Sequence, residues 1–361
     1  MPEQMPGPEI RIVGGASEEK KEELHEELRG YFGEHHLEGM TDEQQETLFE
    51  REEPKTERQR AALAFADKKT SELMKRAGIE PYGIPERNTH IIPFDAYQKL
   101  QRKDSAVATT IQNQQGIVVV REEIERNDTL FADIAFHEQM HLKSHYAVEL
   151  EERPSTADKP TTQRKGYRSG ITVMSAQQSE ERNQWHHEHF RGVNEAVIAL
   201  HEREFMRDTM RSLPEFRSDY LWMGSTEGEV KRLRIAQKAG LSPEDVFWVD
   251  KDSESERYNV VSYPRQRQTL VSVIQEIQKE LPETYPDTDD VLEEFTKAFF
   301  TGRLMQLGKI VEQTFGKGSF RILGMMKDDR ESPVEVLETL RKMRAGRRAA
   351  RQEQQEGQGG L

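Results

Sequence analysis

Residues 128–144 constrain this chain more than any other stretch, because they place two histidines four residues apart within an apolar helical pattern. The centre reads His137-Glu138-Gln139-Met140-His141, and an apolar side is supplied by Leu130, Phe131, Ile134 and Leu142. Side chains four residues apart on a helix lie one above the other, so the two imidazoles can reach one common ion. Asp128 is a good N-cap, and we predict a helix from Thr129 to about Ser144.

Glu138 is rotated by about 100° from His137 around such a helix, which puts its carboxylate beside the ion rather than on it. There it can hold a water molecule that the metal has acidified and take its proton. The five residues match the H-E-x-x-H sequence of zinc hydrolases. We therefore predict one bound Zn²⁺, with His137 and His141 as ligands and Glu138 as the catalytic base.

A third ligand has to come from elsewhere in the chain, because a catalytic zinc usually has three protein ligands and one open position. His145 continues the four-residue spacing, but it lies a further turn along the helix, too far to reach the same ion. The longer pattern H-E-x-x-H-x-x-G-x-x-H is also absent, since residues 144 and 147 are serine and alanine.

We predict that Glu195 is the third ligand. It lies in an otherwise apolar helical segment, residues 193–200. A helix that is apolar nearly all round is normally buried, and a buried carboxylate needs a compensating charge, which zinc would supply. Alternatives remain open: Glu195 could pair with an arginine or lie at a helix–helix edge. A histidine of Trp185–His189 or of His201-Glu202 could instead bind the metal.

These residues resemble the gluzincins, the thermolysin-like zinc peptidases. In that group H-E-x-x-H supplies two ligands and the base, and a glutamate on a following helix, often in an Asn-Glu-Ala context, supplies the third ligand. His137, Glu138, His141 and Glu195 match these roles position by position, and Asn194-Glu195-Ala196 matches the local context.

A closer resemblance is to uncharacterised minimal gluzincins of bacteria, including candidate phyla. These often carry a Tyr-Arg-x-Gly strand before the glutamate helix, as in Tyr167-Arg168-Ser169-Gly170, and a later Tyr-Pro-x-x-Arg stretch, as in Tyr263, Pro264 and Arg267. The resemblance covers about residues 88–205, with a weaker continuation to about 315.

The chain departs from the gluzincin pattern in two ways. Between His141 and Glu195 there are 53 residues (142 to 194), which is longer than the compact spacing. Many gluzincins also place an aspartate one turn after the ligand glutamate to orient a histidine, whereas residues 198 and 199 are isoleucine and alanine here. We expect Asp133, Glu202 or a backbone carbonyl in that role. The oxyanion donor stays open among Tyr167, Arg168, His189 and Tyr263.

We predict an α+β fold that is predominantly helical. The resemblance implies a zincin-like core, in which a small, mostly antiparallel sheet packs on the two metal-binding helices. We expect an N-terminal helical extension (1–84, with 1–8 disordered), the core (85–226), a C-terminal helical region (227–343) and a disordered tail (344–361).

Within the core, residues 107–111 and 117–120 predict a hairpin, and residues 146–150 and 167–174 predict two more strands. Helices are predicted for residues 185–211 and 291–315. We expect Gly116–Val120 to form the edge of the substrate cleft, where an extended peptide could pair with it.

Charge and composition exclude several classes of partner. The net charge of −14 disfavours nucleic acid and anionic membranes as partners. The absence of cysteine excludes disulfides, thiolate zinc sites and cysteine nucleophiles. The N-terminus lacks the pattern of a signal peptide and no apolar run is long enough to cross a membrane, so we expect a cytoplasmic protein.

The favoured hypothesis is a zinc metallopeptidase acting on a peptide or protein substrate. The alternative is a non-catalytic zinc-binding scaffold or regulator whose helical C-terminal region binds a protein partner. In a third hypothesis the motif is accidental, and His137, His141 and Glu195 then do not converge.

Overall fold

The computed structural model describes residues 10–30, 41–101, 107–111, 116–125, 127–153, 161–176, 185–252 and 254–358. The predicted disordered segment 1–8 lies outside them. The fold is α+β and mostly helical, as predicted. The strands are β1 (Ile10–Val13), β2 (Thr89–Ile92), β3 (Ala108–Ile111), β4 (Gly116–Val120), β5 (Tyr146–Arg153), β6 (Thr161–Ser169), β7 (Thr172–Ala176), β8 (Trp185–His189), β9 (Val246–Val249) and β10 (Tyr258–Val260).

The helices are α1 (Glu18–Gly30), α2 (Asp42–Arg51), α3 (Glu57–Arg76), α4 (Phe94–Gln101), α5 (Arg121–Ile124), α6 (Asp128–Lys143), α7 (Arg191–Ser212), α8 (Arg217–Met223), α9 (Thr226–Ala239), α10 (Pro264–Glu280), α11 (Thr288–Thr301), α12 (Leu304–Phe315), α13 (Ser319–Leu323) and α14 (Ser332–Gln358). Among the described residues, none of these helices has the length and apolar character that a membrane span requires.

The chain divides into two compact units, and neither is a single stretch of sequence. The first contains residues 1–12, 16–144 and 198–262, and the second contains residues 13–15, 145–197 and 263–361. The predicted segment boundaries at residues 84 and 226 both fall inside the first unit. Helix α7 contributes to both units, with its residues up to Val197 in the second and those from Ile198 in the first.

In the first unit, β4 is the central strand of a three-stranded sheet with the order β2-β4-β3. β2 runs parallel to β4 and β3 runs antiparallel to it. Every residue of β4 is buried, which accounts for its unbroken apolar sequence. The predicted pairing of residues 107–111 with 117–120 is confirmed. The prediction that Gly116–Val120 forms an edge is wrong, because β4 is paired on both sides, and within the described residues β2 and β3 are the outer strands of this sheet.

Helix α6 begins one residue earlier than predicted, and Asn127 rather than Asp128 is its N-cap. The Asn127 side-chain oxygen accepts a hydrogen bond from the backbone N–H three residues on, at 3.1 Å. Asp128 instead pairs with Arg58 of α3, at 3.4 Å. At the other end of α6, the buried Lys143 ammonium donates to the Asp67 carboxylate of α3, at 2.8 Å. These polar contacts fix both ends of α6 against α3.

In the second unit, β5, β6, β7 and β8 form an antiparallel meander. The segment 167–174, predicted as one strand, reverses at Gly170 (φ 58°) and divides between β6 and β7. The predicted helix 185–211 is wrong over its first residues, because Trp185–His189 is strand β8 and α7 starts only at Arg191. Pairing with β7 satisfies the backbone of β8, and local sequence carries no sign of that partner.

The C-terminal helices differ from the prediction at two points. The predicted helix 291–315 is two helices, because Gly302 (φ 68°) ends α11 in the left-handed conformation. The disordered tail predicted from residue 344 is wrong as far as Gln358, where α14 ends. Arg344 is buried and pairs with Glu276 and Glu280, which binds this part of α14 to α10. Residues 359–361 lie outside the described part of the chain.

Candidate metal centre

The structure brings His137, His141 and Glu195 together in a group that could hold a metal ion. One ligand atom from each residue lies within 4.8 Å of the others. The two histidines sit one turn apart on α6, with their Nε2 atoms 3.2 Å apart. Glu195 lies in the first turns of α7 and is 6 % exposed, whereas both histidines are partly exposed. The hypothesis of an accidental motif predicts that these three residues lie apart, whereas the structure brings them together.

The donor set fits a divalent transition metal. Two imidazole nitrogens and one carboxylate oxygen are the ligands of many catalytic zinc sites. Two ligands at about 2.0–2.1 Å from a tetrahedral zinc are themselves about 3.4 Å apart, close to the separation of the histidine nitrogens. A single cation would also neutralise the buried carboxylate.

The position of Glu195 is fixed by close backbone packing at the start of α7. The backbone N–H of Gly192 donates to the carbonyl oxygen of Met326 at 2.9 Å, and a Cβ at Gly192 would lie 2.3 Å from the carbonyl oxygen of Lys327. Asn194 accepts a hydrogen bond from the backbone N–H of Ile171. The close packing at the start of α7 therefore requires a residue without a side chain at Gly192 and a hydrogen-bond acceptor at Asn194.

For the alternative that Glu195 pairs with an arginine, Arg191, one turn earlier on α7, is the arginine whose charge interacts with Glu195. Its guanidinium forms ion pairs with Glu188 (3.4 Å) and Asp328 (3.1 Å). Burial lowers the pKa of Arg191, but the charges of Glu188, Asp328 and Glu195 outweigh burial and raise it. Arg191 thus adds positive potential near Glu195 while its two ion pairs are formed with other carboxylates.

A second carboxylate of α7, Glu202, contacts the other side of His137. Its Oε2 lies 3.5 Å from the His137 Nδ1, and it accepts a hydrogen bond from the Ser262 hydroxyl at 2.7 Å. Asp133, one turn before His137 on α6, lies close to Glu202. Burial raises the pKa of Glu202, but the hydrogen bonds from His137 and Ser262 and the charge of His137 outweigh burial and hold it below its usual range. Glu202 is one of the groups predicted to contact a metal-binding histidine in this way.

Glu138 lies beside the ligands, as its place in the motif predicts. Its Oε2 accepts a hydrogen bond from the Thr110 hydroxyl of β3. Burial and the nearby charge of Glu138 raise the pKa of the Tyr97 phenol. Sequence reasoning singled out neither Thr110 nor Tyr97, because nothing local in either segment shows which residues face the helix of the motif.

The remaining candidates were alternative metal ligands and possible oxyanion donors. His201 is buried in α7, and burial together with the charge of Arg76 lowers its pKa to about 4, so it is neutral near pH 7. His189 and Arg168 are exposed. Tyr263 has a left-handed backbone (φ 51°) just before α10. The side chains of Tyr167 and of residues 185–187 lie outside the described part of the structure. Among the described histidines and carboxylates, the group that could hold a metal comprises His137, His141 and Glu195, without His189 or His201. The identity of the oxyanion donor stays a prediction.

These observations characterise the site by its two imidazole donors, by the buried carboxylate of Glu195 and by the neighbouring Glu138. Searches against protein-family models, curated proteins and solved structures found no match to this chain.

Proposed function

We propose that this chain is a zinc-dependent metallopeptidase of the gluzincin type. The observation that carries the proposal is the convergence of His137, His141 and Glu195 on one point, with Glu138 next to them on α6. On this proposal the sheet of β2, β3 and β4, together with α6 and α7, corresponds to a zincin-like core.

Zinc held by His137, His141 and Glu195 would supply Lewis acidity, polarising a carbonyl group and lowering the pKa of water. Glu138 would take the proton from the attacking water and deliver it to the leaving amine. The Thr110 hydroxyl binds one carboxylate oxygen of Glu138 and leaves the other available to that water. Glu202 would keep the His137 imidazole oriented.

The geometry also favours a place for an extended substrate. Among the described residues, β3 pairs with β4 alone, so its outer backbone groups can pair with a peptide strand. Thr110 of this strand contacts the base Glu138. We therefore propose β3, in place of the predicted Gly116–Val120, as the strand that binds the substrate backbone.

The test is metal content and cleavage of a denatured protein, measured for the wild type and for Glu138→Gln. We expect about one zinc per chain in both proteins and a loss of cleavage of about 10²–10⁴-fold in the variant. Glu204→Gln, at an exposed position of α7, is the matched control and should keep full activity. Equal cleavage by wild type and Glu138→Gln would remove Glu138 from the mechanism. Stoichiometric zinc without cleavage in the wild type would favour the non-catalytic scaffold.

A further inference from the structure

Glu202 is the most completely buried carboxylate near the metal-binding group. Its side chain is 1 % exposed, and it lies on α7 two turns after Glu195. Burial of a carboxylate is costly unless hydrogen bonds compensate, and two side chains provide them: His137 and Ser262. The same oxygen, Oε2, contacts both the His137 ring and the Ser262 hydroxyl. Two donors on one oxygen restrict the rotation of the carboxylate.

The orientation of Glu202 determines which nitrogen of His137 is available to a metal. An ionised carboxylate only accepts hydrogen bonds, so the Nδ1 atom facing it carries the proton. The Nε2 atom then has its lone pair free of hydrogen, and this is the nitrogen that lies 3.2 Å from the Nε2 of His141. A neutral imidazole with the opposite tautomer would present an N–H to the ion and could not bind it.

Ser262 makes this arrangement depend on a segment far from the motif in sequence. It follows β10 and immediately precedes Tyr263, whose left-handed backbone (φ 51°) sets the start of α10. The Ser262 hydroxyl donates a hydrogen bond to the Glu202 carboxylate, which in turn faces the His137 ring. This contact links the segment before α10 to a histidine of the metal-binding group.

We propose that Ser262 is a positioning residue: its hydroxyl holds the Glu202 carboxylate against the His137 ring and thereby sets the affinity of the site for zinc. This inference rests on the proposed zinc site, although it does not require that the protein cleave peptides. A purely structural buried hydrogen bond would contribute to folding and leave the metal affinity of the folded protein unchanged.

The test is the zinc dissociation constant of the full-length chain, measured by competition with a chromophoric chelator. Partners that orient a metal-binding histidine are typically worth 10–100-fold in affinity, so we expect about 100-fold weaker binding for Glu202→Gln and about tenfold for Ser262→Ala. Ser262→Thr keeps the hydroxyl and should restore binding. Ser319→Ala, which removes another buried hydroxyl, is the matched control and should bind zinc like the wild type.

A second readout reports on His137 without metal. In the zinc-free wild type, ¹⁵N shifts of the His137 ring should show the Nδ1–H tautomer, and Ser262→Ala should shift this population toward Nε2–H. Should Glu202→Gln fail to fold, Ser262→Ala and Ser262→Thr still decide the matter. Unchanged affinity and unchanged ring shifts in a folded Ser262→Ala, with zinc bound by the wild type, would overturn this inference alone. A wild type that binds no zinc would overturn the proposed function as well.

Discussion

The side-chain oxygen of Asn194 accepts a hydrogen bond from the backbone N–H of Ile171, 2.9 Å away. Ile171 follows Gly170 in the turn between β6 and β7, and Asn194 precedes Glu195 in α7. The Tyr-Arg-x-Gly stretch and the Asn-Glu-Ala stretch, which the sequence presents as two separate similarities, are therefore in direct contact. The turn holds the start of α7, which carries Glu195, the carboxylate of the group that could hold a metal ion.

Replacing Asn194 with alanine should destabilise the protein and weaken zinc binding together. Asn194 is buried, and its loss leaves the Ile171 N–H without an acceptor, which costs about 1–3 kcal/mol. Urea unfolding of the zinc-free protein measures the first effect, and chelator competition measures the second. Thr209→Val, which removes another buried hydrogen bond of α7 well beyond Glu195, should lose stability without a comparable loss of zinc affinity.

The same contact can be broken from the other side with Gly170→Ala. Gly170 has a φ of 58°, and a Cβ there would lie 2.3 Å from the Asn194 Oδ1. Gly240 has a φ of 66° and nothing within 4 Å of its Cβ position, so it isolates the backbone cost. We expect about 1 kcal/mol of destabilisation for Gly240→Ala and a clearly larger loss for Gly170→Ala. Equal losses in urea unfolding would show that Asn194 moves away without cost.

Thr110 offers a test of how the base is held. Thr110→Val removes the hydroxyl that binds the Glu138 carboxylate and keeps the shape of the side chain. Hydrogen bonds to charged groups are worth about 1.5–3 kcal/mol, so we expect a fall in kcat of about tenfold or more, with zinc content unchanged. Thr110→Ser should retain most of the activity. If Thr110→Val turns over substrate as fast as the wild type, Glu138 is held by other groups.

The metal-binding group could be predicted from sequence because its signals are local or compositional. The two histidines and Glu138 share one helical repeat, and Glu195 stands out as a carboxylate in an apolar helix, where burial requires a compensating charge. Both signals depend on the chemistry of a few neighbouring residues. Neither depends on knowing which distant segment packs against them.

The residues that support the site could not be predicted in the same way. The supporting contacts are made between segments that are far apart in sequence, and no local pattern of residues predicts them. They involve Thr110, Ser262 and the pair Asn194 and Ile171. The secondary-structure errors have the same origin. Trp185–His189 forms a strand because β7 lies beside it, and residues 344–358 stay helical because Arg344 pairs with acidic residues of α10. In each case a contact with a distant segment determines which secondary structure the residues adopt.

The buried His201 should make the folded protein sensitive to acid. Its pKa is lowered to about 4 in the folded chain, because burial and the charge of Arg76 disfavour the protonated ring. The unfolded chain binds this proton below its ordinary pKa of about 6.5. As the pH falls from 6.5 to 4, the unfolded state is therefore favoured, and the free energy of unfolding should decrease by about 3 kcal/mol from this group alone.

The measurement is urea unfolding of the metal-free protein at a series of pH values, comparing the wild type with His201→Gln. The difference in free energy of unfolding between the two proteins should be constant above pH 7 and should change by about 3 kcal/mol in favour of the variant on acidification to pH 4. His189→Gln, at an exposed position, should follow the wild type throughout. Parallel curves for wild type and His201→Gln would mean that the folded protein accepts this proton as readily as the unfolded chain, so that His201 is accessible to water in the native state.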